Sequence, residues 1–516
     1  MSRFVLTLAC LLLACRAYAA VLMVDTTSDA QLMACDAALP GDCSLRGAIA
    51  KANSIAGADT LVFGLVESDP GYQVATAHWR IAPASTLPLI QDDLTIDGYS
   101  QAGALANTLA PDQGGSNAVL KIELHGFGSS SQAGLDVGNG NPHLVVRGLA
   151  INNFTINLQL QSPGPHVVEG CFIGTDVTGM LGVSASGNSY GIRQRGQATI
   201  GGTLPAARNV IAGNGYIDLW DESATSTTQP SVVQGNIFGL AADGSTVLPG
   251  QDYGLYITNP VQGSVIGGAS VASRNLFAGI ETSAIYFTGN TGAANATPIR
   301  IQGNVFGTDW SGTLARPNGY FPSSPIQPQP TIVIFRSGAC GVVIGGDAPG
   351  EGNLIANGAG AGVLISTCAS AAILGNAFRG NRIGLDLSPF SLADGATPND
   401  AGDADAGANR LQNSPAIEQV TYLDAGATMK IDYRVDSLPA HAAYPLRVDI
   451  GGGSSGQMEV TAFIDSVAEV DAQSLRTVSL PTAAFAGLAP VLTTTDADDN
   501  TSEFASDTLF EYGFDP

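Results

Sequence analysis

From about residue 61 to residue 415 the apolar positions come in short runs that alternate with polar ones, and helical spacing is nearly absent. Ile217 and Leu219, Ile285 and Phe287, and Val363 and Ile365 each lie two residues apart, so each pair points to one face of a strand while its neighbours point to the other. Between the runs stand Gly-Gly, Gly-Asn and Asp-x-x-Gly, which supply the tight turns that short strands need. Two interleaved sets of segments recur. One is Gly170-Cys-Phe-Ile-Gly-Thr-Asp176, Gly235-Asn-Ile-Phe-Gly-Leu-Ala241 and Gly303-Asn-Val-Phe-Gly-Thr-Asp309; the other runs from Ile200-Gly-Gly, Ile266-Gly-Gly and Ile344-Gly-Gly to Asn209, Asn275 and Asn353. The first set returns after 65 and 68 residues and the second after 66 and 78. Three strand-like runs fall within one period, for example 190–194, 209–212 and 216–220, which predicts coils of roughly 20–25 residues. The expected fold is all-β: a right-handed parallel β-helix, with Asn209, Asn275 and Asn353 stacked as a ladder.

The ends break the pattern. Ser44 to Ile55 reads as an amphipathic helix with Leu45, Ala48, Ile49 and Ala52 on one side and Ser44 as its N-cap, placed to cover the first coil. After Ala416 the coil signature stops, and longer alternating strands (429–435, 446–450, 459–464, 491–495) predict an antiparallel, Ig-like β-sandwich. The expected organisation is a signal peptide over 1–19, a cap over 20–60, the β-helix over 61–415 and the sandwich module over 416–516.

Targeting and cysteine usage set the expected compartment. Arg3, the apolar run Phe4–Ala14 and Ala17-Tyr18-Ala19 have the layout of a cleavable export signal, with the mature chain starting near Ala20. A competing reading takes Leu12-Leu13-Ala14-Cys15 as a lipobox, which would anchor the chain as a lipoprotein through Cys15. No later segment reads as a transmembrane helix. Cys35 and Cys43 flank a Pro-Gly turn and are expected to pair, and Cys340 and Cys368 occupy similar places in successive coils, which predicts a second disulfide. Cys171 is left as a buried thiol. The charge of −24, with 21 basic against 45 acidic residues, argues against a nucleic-acid partner.

Cys43-Ser-Leu-Arg-Gly-Ala-Ile49, Ala52-Asn53 and Gly57-Ala-Asp-Thr-Leu-Val-Phe63 resemble the CSLREA-type N-terminal motif of exported bacterial right-handed parallel β-helix proteins. Gly47 stands where that motif has glutamate. Leu94-Thr-Ile-Asp-Gly-Tyr-Ser-Gln101, Gly384-Leu-Asp-Leu387, Thr397-Pro-Asn-Asp400 and Asp499-Asn-Thr-Ser-Glu-Phe504 are similar to other segments of the same group. The resemblance implies a surface or secreted protein on a pectate-lyase-like solenoid, a scaffold that hosts both enzymes and adhesins.

Candidate chemistry is sparse. The Asn-Thr-Asp, Asp-Asp, Gly-His-Gly and Arg-Ile-Lys signatures of galacturonan hydrolases are missing, and the five histidines have no metal-ligand spacing. Asp176 and Asp309 recur at one coil position and read as turn formers. Alternation points Tyr216, Asp218 and Trp220 outward, together with Arg193 and Arg195, and with Tyr256 and Tyr286 on later coils; Tyr286 is expected near the Asp218 position. Aromatic rings beside charged groups suit a polysaccharide or cell-surface glycan partner. Two readings follow. In the first, weighted more heavily, the protein is a non-catalytic, adhesin-like glycan binder whose ligand residues are Tyr216, Trp220, Tyr256 and Tyr286. In the second it is a uronate lyase or epimerase with Asp218, Glu222, Arg193 and Arg195 as its catalytic candidates. Asp400, Asp403, Asp405 and Asn409 resemble an oxygen-ligand loop, which makes calcium the one cofactor considered, against a plain solvated linker.

Overall fold

A computed structural model describes residues 19–128, 133–184, 189–223, 227–290, 297–320, 328–390, 393–454 and 456–506. The expected export signal up to Tyr18, with Cys15, and the C-terminal 509–516 tail lie outside the described residues. The body of the chain is a parallel β-helix with three faces. One face begins with Val21–Val24, Asp59–Phe63 and Leu94–Asp97 and continues through Val232–Gln234 and Ile299–Gln302. The second stacks Ala133–Val137, Ile156–Leu160, Ser189–Gln194, Gly215–Asp221, Tyr253–Ile257 and Ser283–Asn290 in parallel register. These two faces join in an 18-stranded sheet, and an 11-stranded sheet forms the third. Interior positions are filled as the alternation predicts: Ile217, Leu219, Ile285, Phe287, Val363 and Ile365 are all buried. On the third face Phe238, Phe277 and Phe306 stack with centroids 4.5 and 5.1 Å apart, one ring per coil.

An asparagine ladder runs beside this ring stack, and it is twice as dense as predicted. Asn209 donates to Asn236 (2.9 Å), Asn236 to Asn275 (3.1 Å), Asn275 to Asn304 (2.9 Å), Asn304 to Asn353 (3.1 Å) and Asn353 to Asn376 (2.8 Å). The rungs are 27, 39, 29, 49 and 23 residues apart. Each long repeat therefore holds two turns of unequal length, and the coil of 20–25 residues is corrected accordingly. Loop hairpins closed at Thr175↔Gly182, Leu240↔Val247 and Thr308↔Ala315 are part of what lengthens alternate turns. Cys171 stands at the head of the ladder, its backbone N–H donating to Asn209 Oδ1 at 2.8 Å. Burial pushes its thiol up to about 12, so it is inert. The recurring Gly-Gly corners serve the same ladder: at Gly267 (φ +86°) a Cβ would lie 2.0 Å from the Gln302 carbonyl and 2.4 Å from Asn304 Oδ1.

Leu45–Ala52 forms the predicted helix, and Ser44 Oγ accepts from Gly47 N at 3.0 Å. Leu45, Ala48, Ile49 and Ala52 are buried in the solenoid core. A glutamate at Gly47 would not fit here, because a Cβ would collide with the Leu32 carbonyl. The first coil strand, Val21–Val24, precedes this helix in the chain. Beyond residue 415, Ala416–Leu423, Thr428–Arg434 and Arg476–Pro481 make one antiparallel sheet, and Gln457–Val467, Leu446–Ser454, Ala489–Thr495 and Ala505–Ser506 make another. They enclose their own core around Tyr433, Ile450 and Phe485. The sandwich also hydrogen-bonds the last coils: Asn381 donates to Gln457 Oε1 at 3.0 Å, and the Leu387 N–H donates to Glu503 at 2.8 Å. Both expected disulfides are present, Cys35–Cys43 with Cα atoms 4.4 Å apart and Cys340–Cys368 at 5.3 Å. They suit an oxidising compartment. No helix among the described residues is long and apolar enough to cross a membrane.

Candidate functional site

The outer side of the second face carries a continuous patch of aromatic rings. Parallel register places Arg193, Trp220, Tyr256 and Tyr286 in one column on four successive coils. Tyr256 and Tyr286 stack with centroids 5.2 Å apart and planes 3° off parallel, and Trp220 meets Tyr256 edge-on at 6.3 Å. Tyr190, Tyr216 and Tyr253 widen the patch: Tyr190 stacks on Trp220 at 5.5 Å, Tyr216 meets Tyr253 at 6.0 Å, and Tyr253 meets Tyr286 at 5.4 Å. The guanidinium of Arg193 sits 4.4 Å above the Trp220 ring, and Trp220 Nε1 donates to Thr258 Oγ1 at 3.2 Å. Burial raises the pKa of Tyr216, Tyr256 and Tyr286, which keeps their hydroxyls protonated as hydrogen-bond donors. Rings repeated at the coil rise of about 4.8 Å form a contiguous aromatic patch with polar margins, in which Tyr190–Trp220 and Tyr256–Tyr286 stack and the other neighbours meet edge-on. Tyr190 and Tyr253 were not singled out in the sequence. Their signal was present, since Tyr253 opens a strand and Tyr190 is the second residue of one, both on the same face as Trp220.

The catalytic candidates do not converge. Asp218 is fully buried, not outward-facing. It accepts from Asn214 Nδ2 at 2.7 Å, its other oxygen has no hydrogen-bond partner among the described residues, and burial raises its pKa well above the usual range. The residues in register with it are small (Gly254 and Ala284), because at this corner two consecutive positions turn inward. A break in register at Ser189/Tyr190 shifts the alternation. Tyr286 accordingly aligns with Trp220 and not with Asp218. Glu222 remains on the surface side, bound by Arg193 at 2.9 Å and by Arg195 at 3.2 Å. The two arginines and the glutamate thus form the border of the aromatic platform, and no free base faces it from these candidates.

In the acidic loop, Asp400, Asp403 and Asp405 bring carboxylate oxygens within 4.8 Å of one another. Asn409 is not among them. It is buried at the solenoid end, where its amide donates to the Ala371 and Thr501 carbonyls. Asp403 accepts from Gln412 (2.6 Å), Ser437 (2.7 Å) and Asn413 N (2.9 Å), while burial, followed by the charges of Asp405 and Asp400, lifts its pKa to about 6. Asp176 and Asp309 are turn formers: Asp176 accepts from Met180 N and Leu181 N (3.1 and 3.2 Å), and Asp309 from Leu314 N (3.2 Å).

Two polar clusters had no linear signature. On the outer side of the third face, Glu123 is buried and receives His78 Nε2 at 2.9 Å, Arg80 Nε at 2.6 Å and Asn152 Nδ2 at 2.9 Å. Burial alone would raise its pKa; hydrogen bonds from His125, His78, Asn152 and Arg80 outweigh that and hold it far below the carboxylate range. With His125 bound to Asn152 (2.7 Å) and His78 to Thr76 (2.6 Å), the network is satisfied and structural. Near the last coil, Asp386 and Arg382 line a cavity of about 220 Å³ with Asp394. Asp386 is fully buried and one of its oxygens has no hydrogen-bond partner among the described residues. Compared with protein-family models, curated proteins and solved structures, the chain matches none.

Proposed function

We propose that this is an exported β-helix protein that binds glycans through the outer aromatic face, without catalysing their cleavage. The observation that carries the reading is the six-ring patch of Tyr190, Tyr216, Trp220, Tyr253, Tyr256 and Tyr286, contiguous over four coils and bordered by Arg193, Arg195 and Glu222. Pyranose rings offer apolar faces that stack on such rings, and their hydroxyls suit the tyrosine and guanidinium margins. The disulfides support export, and so does the resemblance of the N-terminal segment to the CSLREA-type motif. The burial of Asp218 and the double pairing of Glu222 speak for binding over lyase or epimerase chemistry.

The test is a screen of neutral and uronic polysaccharides by affinity electrophoresis and by tryptophan fluorescence. Trp220→Ala is expected to weaken binding of any retained glycan about tenfold or more, in keeping with ~1–3 kcal/mol for a lost stacking ring. Asp218→Asn is expected to leave binding unchanged. Unchanged affinity in Trp220→Ala overturns the platform, and unsaturated product abolished by Asp218→Asn restores the lyase. The calcium expectation narrows to Asp400, Asp403 and Asp405, whose mutual repulsion a divalent cation would relieve. Millimolar calcium is then expected to raise the melting temperature by about 3 °C over chelator, and an unchanged value removes the ion.

A further inference from the structure

The start of the strand Asp59–Phe63, which pairs with the first strand, holds an unexplained buried acid. Asp59 is 1% exposed, and one of its oxygens, Oδ2, has no hydrogen-bond partner among the described residues. Its other oxygen accepts from the backbone N–H of Ala20 at 2.7 Å. No lysine, arginine or histidine among the described residues pairs with Asp59. A buried carboxylate served by a single amide N–H is poorly compensated, since burial of a charge calls for an opposite charge and several donors. Ala20 is otherwise firmly placed: its carbonyl accepts from Thr60 N at 2.8 Å, and the strand that follows it runs in register with 60–63. Ala19, on the far side of the Ala19–Ala20 bond, is exposed.

We infer that Asp59 is the built receptor for a new amino terminus at Ala20, formed by cleavage of the Ala19–Ala20 bond. A signal-peptidase-type endopeptidase with a preference for small residues adds water across that bond. The carbonyl carbon of Ala19 gains the oxygen and leaves as a carboxylate, and the Ala20 nitrogen takes up the protons and becomes an ammonium. One N–H donor is thereby replaced by three, with a positive charge, at a nitrogen already 2.7 Å from Asp59 Oδ1. The idle Oδ2 gains a donor and the carboxylate gains its counter-ion. Processing then does more than release the chain, because it completes the first coil and couples maturation to stability. The inference is independent of what the aromatic face binds.

The exported full chain is first read by amino-terminal sequencing and intact mass, with Ala20 expected as the first residue. A lipidated or otherwise different terminus overturns the proposal. Next, the processed chain is compared with one that retains two extra residues before Ala20, each with Asp59 and with Asp59→Asn. The authentic terminus is expected to melt about 5 °C above the extended one, and Asp59→Asn is expected to erase that gap. The gap should also close above about pH 9 as the ammonium loses its proton. Equal stability of the authentic and extended chains, or a gap that survives Asp59→Asn, overturns the receptor role. If Asp59→Asn fails to fold, the extended chain and the pH profile decide alone.

Discussion

Asn304→Ala is expected to destabilise the protein by roughly 3–6 kcal/mol, far more than the loss of an ordinary polar side chain. Asn304 is 1% exposed and sits in the middle of the ladder. Its amide donates to the Ile266 carbonyl (2.9 Å) and to Asn353 Oδ1 (3.1 Å), while its oxygen accepts from Asn275 Nδ2 (2.9 Å) and Asn275 N (3.3 Å). Alanine removes all four contacts, and water does not take the place of the lost amide, because the site is buried and packed against the Gly267 corner. The Ile266 carbonyl and both Asn275 donors are left in the interior, at about 1–3 kcal/mol for each orphaned group. In a stacked solenoid each turn depends on its neighbours, so the damage interrupts coupling between the two halves. Denaturant unfolding of the variant checks this. A cost below about 1 kcal/mol would mean that the ladder follows from the coil geometry without stabilising it.

That ladder also shows how much of the fold was legible. Asn209, Asn275 and Asn353 were visible because they share an Ile-Gly-Gly prelude, and Asn236 and Asn304 were visible in the other recurring segment, after Gly235 and Gly303. What linear order hides is that both sets land on the same face, Asn236 between Asn209 and Asn275. Turns of unequal length conceal the single-coil period, since a hairpin loop can extend outward at a corner without disturbing the stack. The disulfide across coils was legible because Cys340 and Cys368 occupy similar places, four residues before Ile344 and five before Ile373, which pair in register. The aromatic platform was half legible: alternation carries Trp220, Tyr256 and Tyr286 outward correctly in the middle of a strand. It fails for Asp218, where the chain turns a corner and successive residues face the same interior. The small partners Gly254 and Ala284 were the available warning. The Glu123 network was not legible, because His78, Glu123 and Asn152 are gathered by three strands far apart in sequence.

Stability should be greatest in mild acid, near pH 5, and fall as the pH rises to 8, by roughly 2–4 kcal/mol in total. Burial lifts Asp221 and Asp386 to about 6, lifts Asp403 to about 6, and lifts Glu503 to about 7, with Asp386 and Asp394 adding to the last. A carboxyl whose folded pKa lies above its unfolded value holds its proton in the native state alone, so each of these groups stabilises the fold at low pH. That contribution is lost between the unfolded value near 4 and the folded value of about 6 to 7. His166 opposes them. Burial depresses it to about 4 from 6.5, so its contribution is complete above 6.5 and declines as the pH falls from there towards 4. One histidine against four carboxyls leaves the balance with the acids, and the Glu123 network, stabilising only while Glu123 is ionised, sets the acid limit. Asp386→Asn isolates the effect. Its amide oxygen keeps the hydrogen bond from Gly395 N, 2.9 Å in the native protein, while the NH₂ group takes the place of the buried Oδ1 and the repulsion with Asp394 and Glu503 disappears. Melting curves in chelator from pH 4 to 9 should show the variant more stable than the native chain at pH 8 and less dependent on pH, with little difference at pH 5. A native profile that is flat or rises from pH 5.5 to 8 would contradict the assignment of these acids as protonated in the fold.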